Sequence, residues 1–209
     1  MPENNFNVFP CFSYPCYFSK FEYNFNEEEQ KYIKSLDIEN NGFDDTNKNK
    51  ITSNKYILDN SIMKNFKDYI TKILHHYAYE VLQIDEKVNQ IYITQNWLNF
   101  NKKGTIHHKH NHPNSIISGT LCLQGEAPVQ FSIDNTKYLL DLNYKTPNML
   151  NMMRQQFEVK KGTVYFFPSI LTHEVLENTN EEERISLSFN TFVKGNIGSE
   201  EIGSILKLN

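Results

Sequence analysis

Cysteine is scarce in this sequence, which has only Cys11, Cys16 and Cys122 among its 209 residues. Their odd number and irregular spacing provide neither a disulfide framework nor a CxxC metal site. Such a chain is easier to accommodate in a reducing compartment than outside the cell, so we expect a cytoplasmic protein.

Long apolar runs and basic stripes are also missing. No stretch approaches the roughly 20 apolar residues that cross a bilayer, and the N-terminal segment has no basic region of the kind that begins a secretory signal. The net charge is −4, and the pairs Lys102–Lys103 and Lys160–Lys161 are typical of solvated turns. We therefore expect neither a membrane nor a nucleic acid as a partner.

Aromatic residues are abundant, since 15 Phe, 12 Tyr and one Trp make up 13% of the sequence. Flat rings suit a pleated surface, so this composition favours β structure.

Helices are expected early in the chain. Asn26, followed by three glutamates, predicts an N-cap, a capping box with Glu29 and a helix to about Leu36. An apolar stripe at helical spacing predicts a second helix from Ser61 to Leu82.

From about residue 90 the apolar pattern changes to a period of two, which is typical of strands. About eight short runs follow, separated by turn residues. This order predicts a mainly β protein with buttressing helices, whose core is a double-stranded β-helix (jelly roll or cupin-like). We expect a single domain over 1–209, in which 1–89 supplies an N-terminal strand (6–18) and the helices and 90–194 forms the core. Residues 39–50 are expected to be a polar loop, and 141–154 a long insertion between strands.

Histidines are concentrated in the sequence HHKHNHP, and a further one, His173, follows the run TVYFFP and a short turn. Alternate residues of a strand point to one face about 6–7 Å apart. His110 and His112 can therefore converge on one ion; His108 shares their face, and His107 is expected on the other. With His173 brought back across the barrel, three imidazoles could bind iron, copper, zinc or nickel and leave positions open.

A histidine cluster alone is common on protein surfaces, and the context here is the strand RISLSFN. Arg184, Ser186, Ser188 and Asn190 share one face of it. In a plain sandwich that face would be solvated, whereas in a barrel it can point inward. A buried arginine needs an anion, and its planar fork matches a carboxylate. An inward Arg184 is what a dicarboxylate cosubstrate would require.

Five stretches resemble the iron(II)- and 2-oxoglutarate-dependent oxygenases of bacteria and marine phages, which are relatives of the prolyl hydroxylases. In chain order they are TSNKY (52–56), NWLNFNKKG (96–104), HNHPNSIISG (110–119), GTVYFFPSILTHEV (162–175) and RISLSFN (184–190). The combination is specific, although any one stretch alone would be weak.

The resemblance implies that His110, His112 and His173 hold Fe(II). It implies that Arg184 binds the far carboxylate of 2-oxoglutarate with Ser186 as a second contact, and that Asn99 lines the pocket. The expected reaction is hydroxylation of a small molecule or a protein side chain, with dioxygen consumed and 2-oxoglutarate converted to succinate. If a phage encodes the chain, it would act in the cytoplasm of the host cell.

One position departs from the wider superfamily, which has an acidic residue where this chain has His112. A neutral ligand leaves the site more positive by one charge, which alters metal preference, and it leaves open whether His112 or His108 is the third ligand. Two other functions also stay open on the residues. One is a three-histidine, cupin-like dioxygenase that uses no 2-oxoglutarate, and the other is a non-catalytic metal-binding barrel.

Overall fold

The strands form two sheets in the computed structural model, which describes residues 13–42, 48–133, 143, 145–149 and 151–208. The larger sheet has eight strands with antiparallel neighbours. Seven of them lie in the order β1 (Tyr17–Lys20), β9 (Thr163–Pro168), β6 (Ile117–Gln124), β11 (Arg184–Ile197), β4 (Asn89–Asn101), β3 (Lys50–Thr52) and β2 (Ile38–Asn40). The eighth, β12 (Leu206–Leu208), pairs with β11.

The smaller sheet has four strands, in the order β5 (His107–His110), β10 (Thr172–Val175), β7 (Glu126–Ser132) and β8 (Arg154–Lys160). Apolar side chains of both sheets meet between them, for example Cys122 and Phe167 from the larger sheet and Val129 and Val159 from the smaller one. The prediction of a mainly β protein is confirmed.

The two predicted helices are present. Helix α1 (Glu27–Lys34) begins after Asn26, whose side chain accepts a hydrogen bond from the Glu29 amide at 2.9 Å. The Glu29 carboxylate accepts one in return from the Asn26 amide, also at 2.9 Å. This reciprocal pair is the capping box that the sequence predicted.

The long helical segment is of mixed type. A 3₁₀ turn (Ser61–Met63) leads into α2 (Lys64–His75), and a π-helical segment (His76–Val81) follows. Phe66, Ile70 and Leu74 are buried as predicted, but Ile62 and Val81 are exposed. Both lie outside the α-helical part, where the different number of residues per turn rotates side chains away from the stripe.

Alternate side chains of β11 point to opposite sides of the sheet, one set towards the apolar core and the other towards a pocket. Leu187 and Phe189 are buried in the apolar cluster that includes α2. Arg184, Ser186 and Ser188 point to the opposite side and line a pocket between the two sheets. The inward direction that the sequence predicted for Arg184 is therefore the one observed.

Some expected loops have another form. The polar loop predicted at 39–50 is instead partly a hairpin, because Asn40 pairs with Lys50 across β2 and β3; residues 43–47 lie outside the described part. The N-terminal strand predicted at 6–18 overlaps the observed β1 (Tyr17–Lys20) only at its last two residues, because 13–16 are not in a strand; residues 1–12 lie outside that part. A long connection does join β7 to β8 over 133–153, of which 134–142, 144 and 150 are not described.

The segment before residue 89 contributes β1, β2 and β3 to the larger sheet as well as the helices. The single-domain assignment, with its division at residue 89, stays a prediction. Among the described residues, no helix has the length and apolar character needed to span a membrane.

Candidate metal centre and cosubstrate pocket

Three imidazoles converge between the sheets. His110 ends β5 and pairs across the smaller sheet with His173 of β10. His112 lies in the loop after β5, where its backbone N–H donates to the Ser169 carbonyl at 3.0 Å. One ring nitrogen from each of the three histidines lies within 4.8 Å of the others, so the group could hold a metal ion.

The Nδ1 atom of each of these rings is engaged by an oxygen atom of the chain. The Nδ1 atoms face oxygens: His110 the His108 carbonyl at 2.6 Å, His173 the Leu171 carbonyl at 3.2 Å, and His112 the Asn190 Oδ1 at 2.5 Å. Because a carbonyl oxygen only accepts, Nδ1 carries the proton and Nε2 keeps its lone pair. The Nε2 atoms of His110 and His112 are 3.1 Å apart, a contact between two lone pairs that a cation would relieve.

Burial keeps the three rings neutral. It lowers the pKa of His110 to about 4, lowers that of His112, and lowers that of His173 well below the ordinary value of an imidazole. A neutral imidazole is the form that binds a metal ion, so the pocket favours the competent state over the whole neutral range.

A bulge in β5 changes the faces predicted for two other histidines. His110 pairs with His173 and His107 pairs with Val175, so three steps on β5 match two steps on β10. His107 therefore lines the pocket, stacked on His110 with ring centroids 4.5 Å apart, whereas the His108 ring is exposed. The prediction from strict alternation is wrong for both, because an extra residue reverses the order of faces.

Arg184 is the charged group at the far end of the pocket. It is 1% exposed, and its Nη1 donates to Ser186 Oγ at 3.0 Å. Its Nε and Nη2 have no hydrogen-bond partner, and none of the ion pairs found among the described residues involves it. A buried cation with two unused donors fits an anion with two oxygens.

Asn99 forms part of the pocket wall, as expected. Its Nδ2 donates to Ser188 Oγ at 2.9 Å, and its Oδ1 accepts from Trp97 Nε1 at 3.2 Å and from Asn49 Nδ2 at 3.3 Å. These bonds fix the orientation of the Asn99 amide. The space enclosed by the lining side chains is about 10 Å³, room for about one water molecule, so a larger ligand requires the walls to move apart.

Two residues of the site were not singled out from the sequence. Tyr165 is buried in the pocket beside Arg184, whose charge opposes the rise in the Tyr165 pKa that burial causes. Its one signal was a hydroxyl in the otherwise apolar strand TVYFFP. Asn190 contacts His112; it was placed on the inward face of β11 without a role.

Comparison with known proteins gives a family model that matches this part of the chain. Residues 95–190 match a family model described as "Putative 2OG-Fe(II) oxygenase", and all six residues predicted for the site lie within that span. No curated protein matches the chain. The resemblance noted in the sequence is confirmed. The family match and the histidine triad support the predicted cofactors, iron and 2-oxoglutarate.

Solved structures share the fold at low sequence identity. SnoN, an alpha ketoglutarate dependent epimerase of nogalamycin biosynthesis, is 11% identical with a TM-score of 0.54, over 79% of this chain and 70% of that chain. A 2OG-Fe(II) oxygenase family oxidoreductase from Burkholderia pseudomallei is 11% identical with a TM-score of 0.50, over 79% and 78%. Another SnoN structure contains Fe3+, alpha ketoglutarate and nogalamycin RO. The predicted jelly-roll core is thereby confirmed.

Proposed function

We propose a specific reaction for this chain, whose residues 95–190 match the family model of 2OG-Fe(II) oxygenases. The chain is a dioxygenase that hydroxylates a C–H bond of a small molecule or a protein side chain. The balanced reaction consumes substrate, 2-oxoglutarate and dioxygen and releases hydroxylated substrate, succinate and carbon dioxide. One oxygen atom enters the substrate and the other enters succinate.

Arg184 carries this proposal. Its guanidinium is buried, and among the described residues it has no counter-ion and two of its donors are unused. Such a charge is costly unless an anion joins it. We assign it the far carboxylate of 2-oxoglutarate, with Ser186 Oγ, which already contacts Nη1 at 3.0 Å, as the second contact. The Tyr165 hydroxyl, buried beside the guanidinium, supplies a further donor.

The metal ligands in this proposal are the Nε2 atoms of His110, His112 and His173. Their Nδ1 atoms face carbonyl and amide oxygens, which orients each ring and keeps its Nε2 lone pair available. Bound iron would supply the redox chemistry that couples oxidation of 2-oxoglutarate to attack on the substrate. The chain itself binds the far carboxylate through Arg184 and so orients the cosubstrate towards the three histidines.

The neutral charge of all three ligands sets the electrostatics of the centre. With His112 in place of an acidic residue, the three ligands carry no negative charge that would offset the positive charge of the ion. The complex of Fe(II) with the dianion of 2-oxoglutarate is then neutral overall, apart from the charge of Arg184. We also propose that the protein acts in a reducing cytoplasm, which suits the free thiols of Cys16 and Cys122.

The reaction is tested by measuring succinate and carbon dioxide released from 2-oxoglutarate by purified protein with Fe(II) and dioxygen, with no primary substrate added. We expect slow release of both products in equal amounts. Replacement of His110 or His173 by Ala abolishes it. The His76→Ala variant, which changes an exposed histidine on the helical segment, retains the wild-type rate.

Two results would contradict the proposal and favour the other functions. A protein that binds iron but releases no succinate, and that oxidises a substrate without 2-oxoglutarate, would be a three-histidine dioxygenase. A protein that folds and binds metal but turns over neither 2-oxoglutarate nor dioxygen would be a non-catalytic barrel.

A further inference from the structure

A chain of hydrogen-bonded side chains contacts His112 on its Nδ1 side. Asn190 Oδ1 lies 2.5 Å from His112 Nδ1 and 3.2 Å from Ser118 Oγ. Ser118 Oγ is 2.8 Å from Ser169 Oγ, which is 2.7 Å from Ser115 Oγ. Ser118 and Ser169 are each 1% exposed, so water does not compete for these bonds.

The orientation of the Asn190 amide determines whether His112 can bind a metal ion. With the amide oxygen towards the ring, Nδ1 carries the proton and Nε2 has a free lone pair. With the amide nitrogen towards the ring, the proton moves to Nε2 and blocks it. An acidic ligand needs no such control, because either carboxylate oxygen can bind. Because the ligand at this position is an imidazole, its ability to bind a metal ion depends on the orientation of the Asn190 amide.

Ser118 selects the productive orientation, because its hydroxyl donates to Asn190 Oδ1 at 3.2 Å. On its other side Ser118 contacts Ser169 Oγ, which donates to Ser115 Oγ. Ser115 Oγ also accepts from the Thr191 amide at 3.1 Å and donates to the Ile117 carbonyl at 3.2 Å. If the Ser118 hydroxyl donates its proton, the Asn190 atom that accepts it must be the amide oxygen. That oxygen is the same atom that faces His112.

The members of this chain come from the stretches that also supply the predicted ligands and Arg184. Ser115 and Ser118 belong to HNHPNSIISG, Ser169 to FPSILTH and Asn190 to RISLSFN. His110 and His173 pair across β5 and β10 of the smaller sheet, whereas Ser118 and Asn190 pair across β6 and β11 of the larger sheet.

We propose that Asn190 is the positioning residue of the third metal ligand, and that Ser118 fixes its amide so that His112 has its proton on Nδ1. The inference rests on the proposed function in taking His112 as a ligand. The inference also applies to the protein without metal, because these hydrogen bonds join only side chains of the protein.

The first test is the tautomer of His112 without metal, measured from ¹⁵N chemical shifts and long-range ¹H–¹⁵N couplings of histidine-labelled protein. We expect the Nδ1-protonated form in the wild type and in Asn190→Asp, which keeps an oxygen acceptor. In Asn190→Leu, and to a smaller extent in Ser118→Ala, the Nε2-protonated form appears. Asn196→Leu, at an exposed position of the same strand, serves as the matched control.

The second test is the affinity for Co²⁺, followed by calorimetry and by the visible absorption of the bound ion. Loss of a partner that orients a ligand weakens metal binding by roughly 10–100-fold, which is the loss expected for Asn190→Leu. Asn190→Asp is expected to stay within roughly threefold of the wild type, because it restores the acceptor. Circular dichroism and the melting temperature check that each variant folds, and Ser118→Ala replaces Asn190→Leu if that variant does not.

The outcomes separate the two claims. If wild type and His173→Ala bind Co²⁺ equally weakly, the metal site and the proposed function fail, while the tautomer measurement still decides the role of Asn190. If the triad is required but Asn190→Leu matches Asn196→Leu in both tautomer and affinity, the role of Asn190 is refuted and the metal site stands.

Discussion

Four histidine rings share one pocket, and burial disfavours a proton on each of them. The rings of His107, His110, His112 and His173 line it, and desolvation is the largest cause of the lowered pKa in every case. The unfolded chain has ordinary imidazoles with a pKa of about 6.5. As the pH falls below that value, the unfolded state takes up protons before the folded state does.

The free energy of unfolding of the metal-free protein is therefore expected to fall as the pH drops from about 6.5. For His110 the loss continues to about pH 4, where the folded ring also becomes protonated. Urea unfolding across this range measures it. His173→Asn, which removes one of these groups, should show a shallower decline. The account would be contradicted if the free energy of unfolding fell equally steeply with pH in the wild type and in His173→Asn between pH 6.5 and 5.

At the scale of elements, β5 is the edge strand that carries part of the candidate metal centre. It has four residues and lies at the edge of the smaller sheet, where its one strand neighbour in the described part of the chain is β10. A metal ion held by both His110 and His173 would tie the two strands together. Edge strands with few neighbours open most easily, so β5 gains most from the ion.

Hydrogen exchange tests this role of the ion. Without metal, the amides of His107–His110 should exchange faster than those of Ser186–Phe189, which lie between β4 and β6. Addition of Co²⁺ should slow exchange in β5 and leave that part of β11 almost unchanged. The same addition to His173→Ala provides the control. If Co²⁺ also slows amide exchange in β5 of that variant, the ion does not bridge β5 and β10.

Packing behind the site depends on the glycine in β6. A Cβ atom at Gly119 would lie 2.7 Å from Phe166 Cδ1 and closer still to Phe189 Cζ, and both rings are fully buried. Gly119→Ala should therefore lower the free energy of unfolding by about 1–3 kcal/mol through overpacking.

Urea unfolding also measures this loss, and the double variant with Phe189→Leu, which vacates space beside the new methyl group, should recover part of it. A Gly119→Ala protein as stable as the wild type would mean that the rings move aside without cost.

Periodicity predicted the long elements well and the short ones poorly. The capping box at Asn26 and the alternation on β11 depend on local bonding and on one buried face, so the sequence contains both signals. The hairpin of β2 and β3 has few apolar side chains, and nothing in its sequence distinguished it from a loop. The bulge in β5 depends on pairing with β10, and a local pattern does not contain that information.

On the scale of the whole molecule, the site is assembled from distant parts of the chain. His110 and His173 are neighbours only because β5 pairs with β10, and Arg184 reaches the same pocket from the larger sheet. The sequence predicted that His110, His173 and Arg184 face this pocket, because their chemistry is unusual on inward faces. Tyr165 and the link from Asn190 to His112 depend on three-dimensional packing, so the sequence alone did not predict them.

The central claim is that three imidazoles hold one Fe(II) ion and that Arg184 binds the far carboxylate of 2-oxoglutarate. The most direct measurement is an anaerobic titration of the Fe(II) protein with 2-oxoglutarate, followed by the visible charge-transfer band of the complex. The wild type and Arg154→Gln, which changes an exposed arginine, should give the band with equal affinity. Loss of the charge partner in Arg184→Gln costs about 2–5 kcal/mol, so its affinity should be lower by roughly 30-fold or more. Absence of the band in the wild type, or equal affinities for the two arginine variants, would contradict the account.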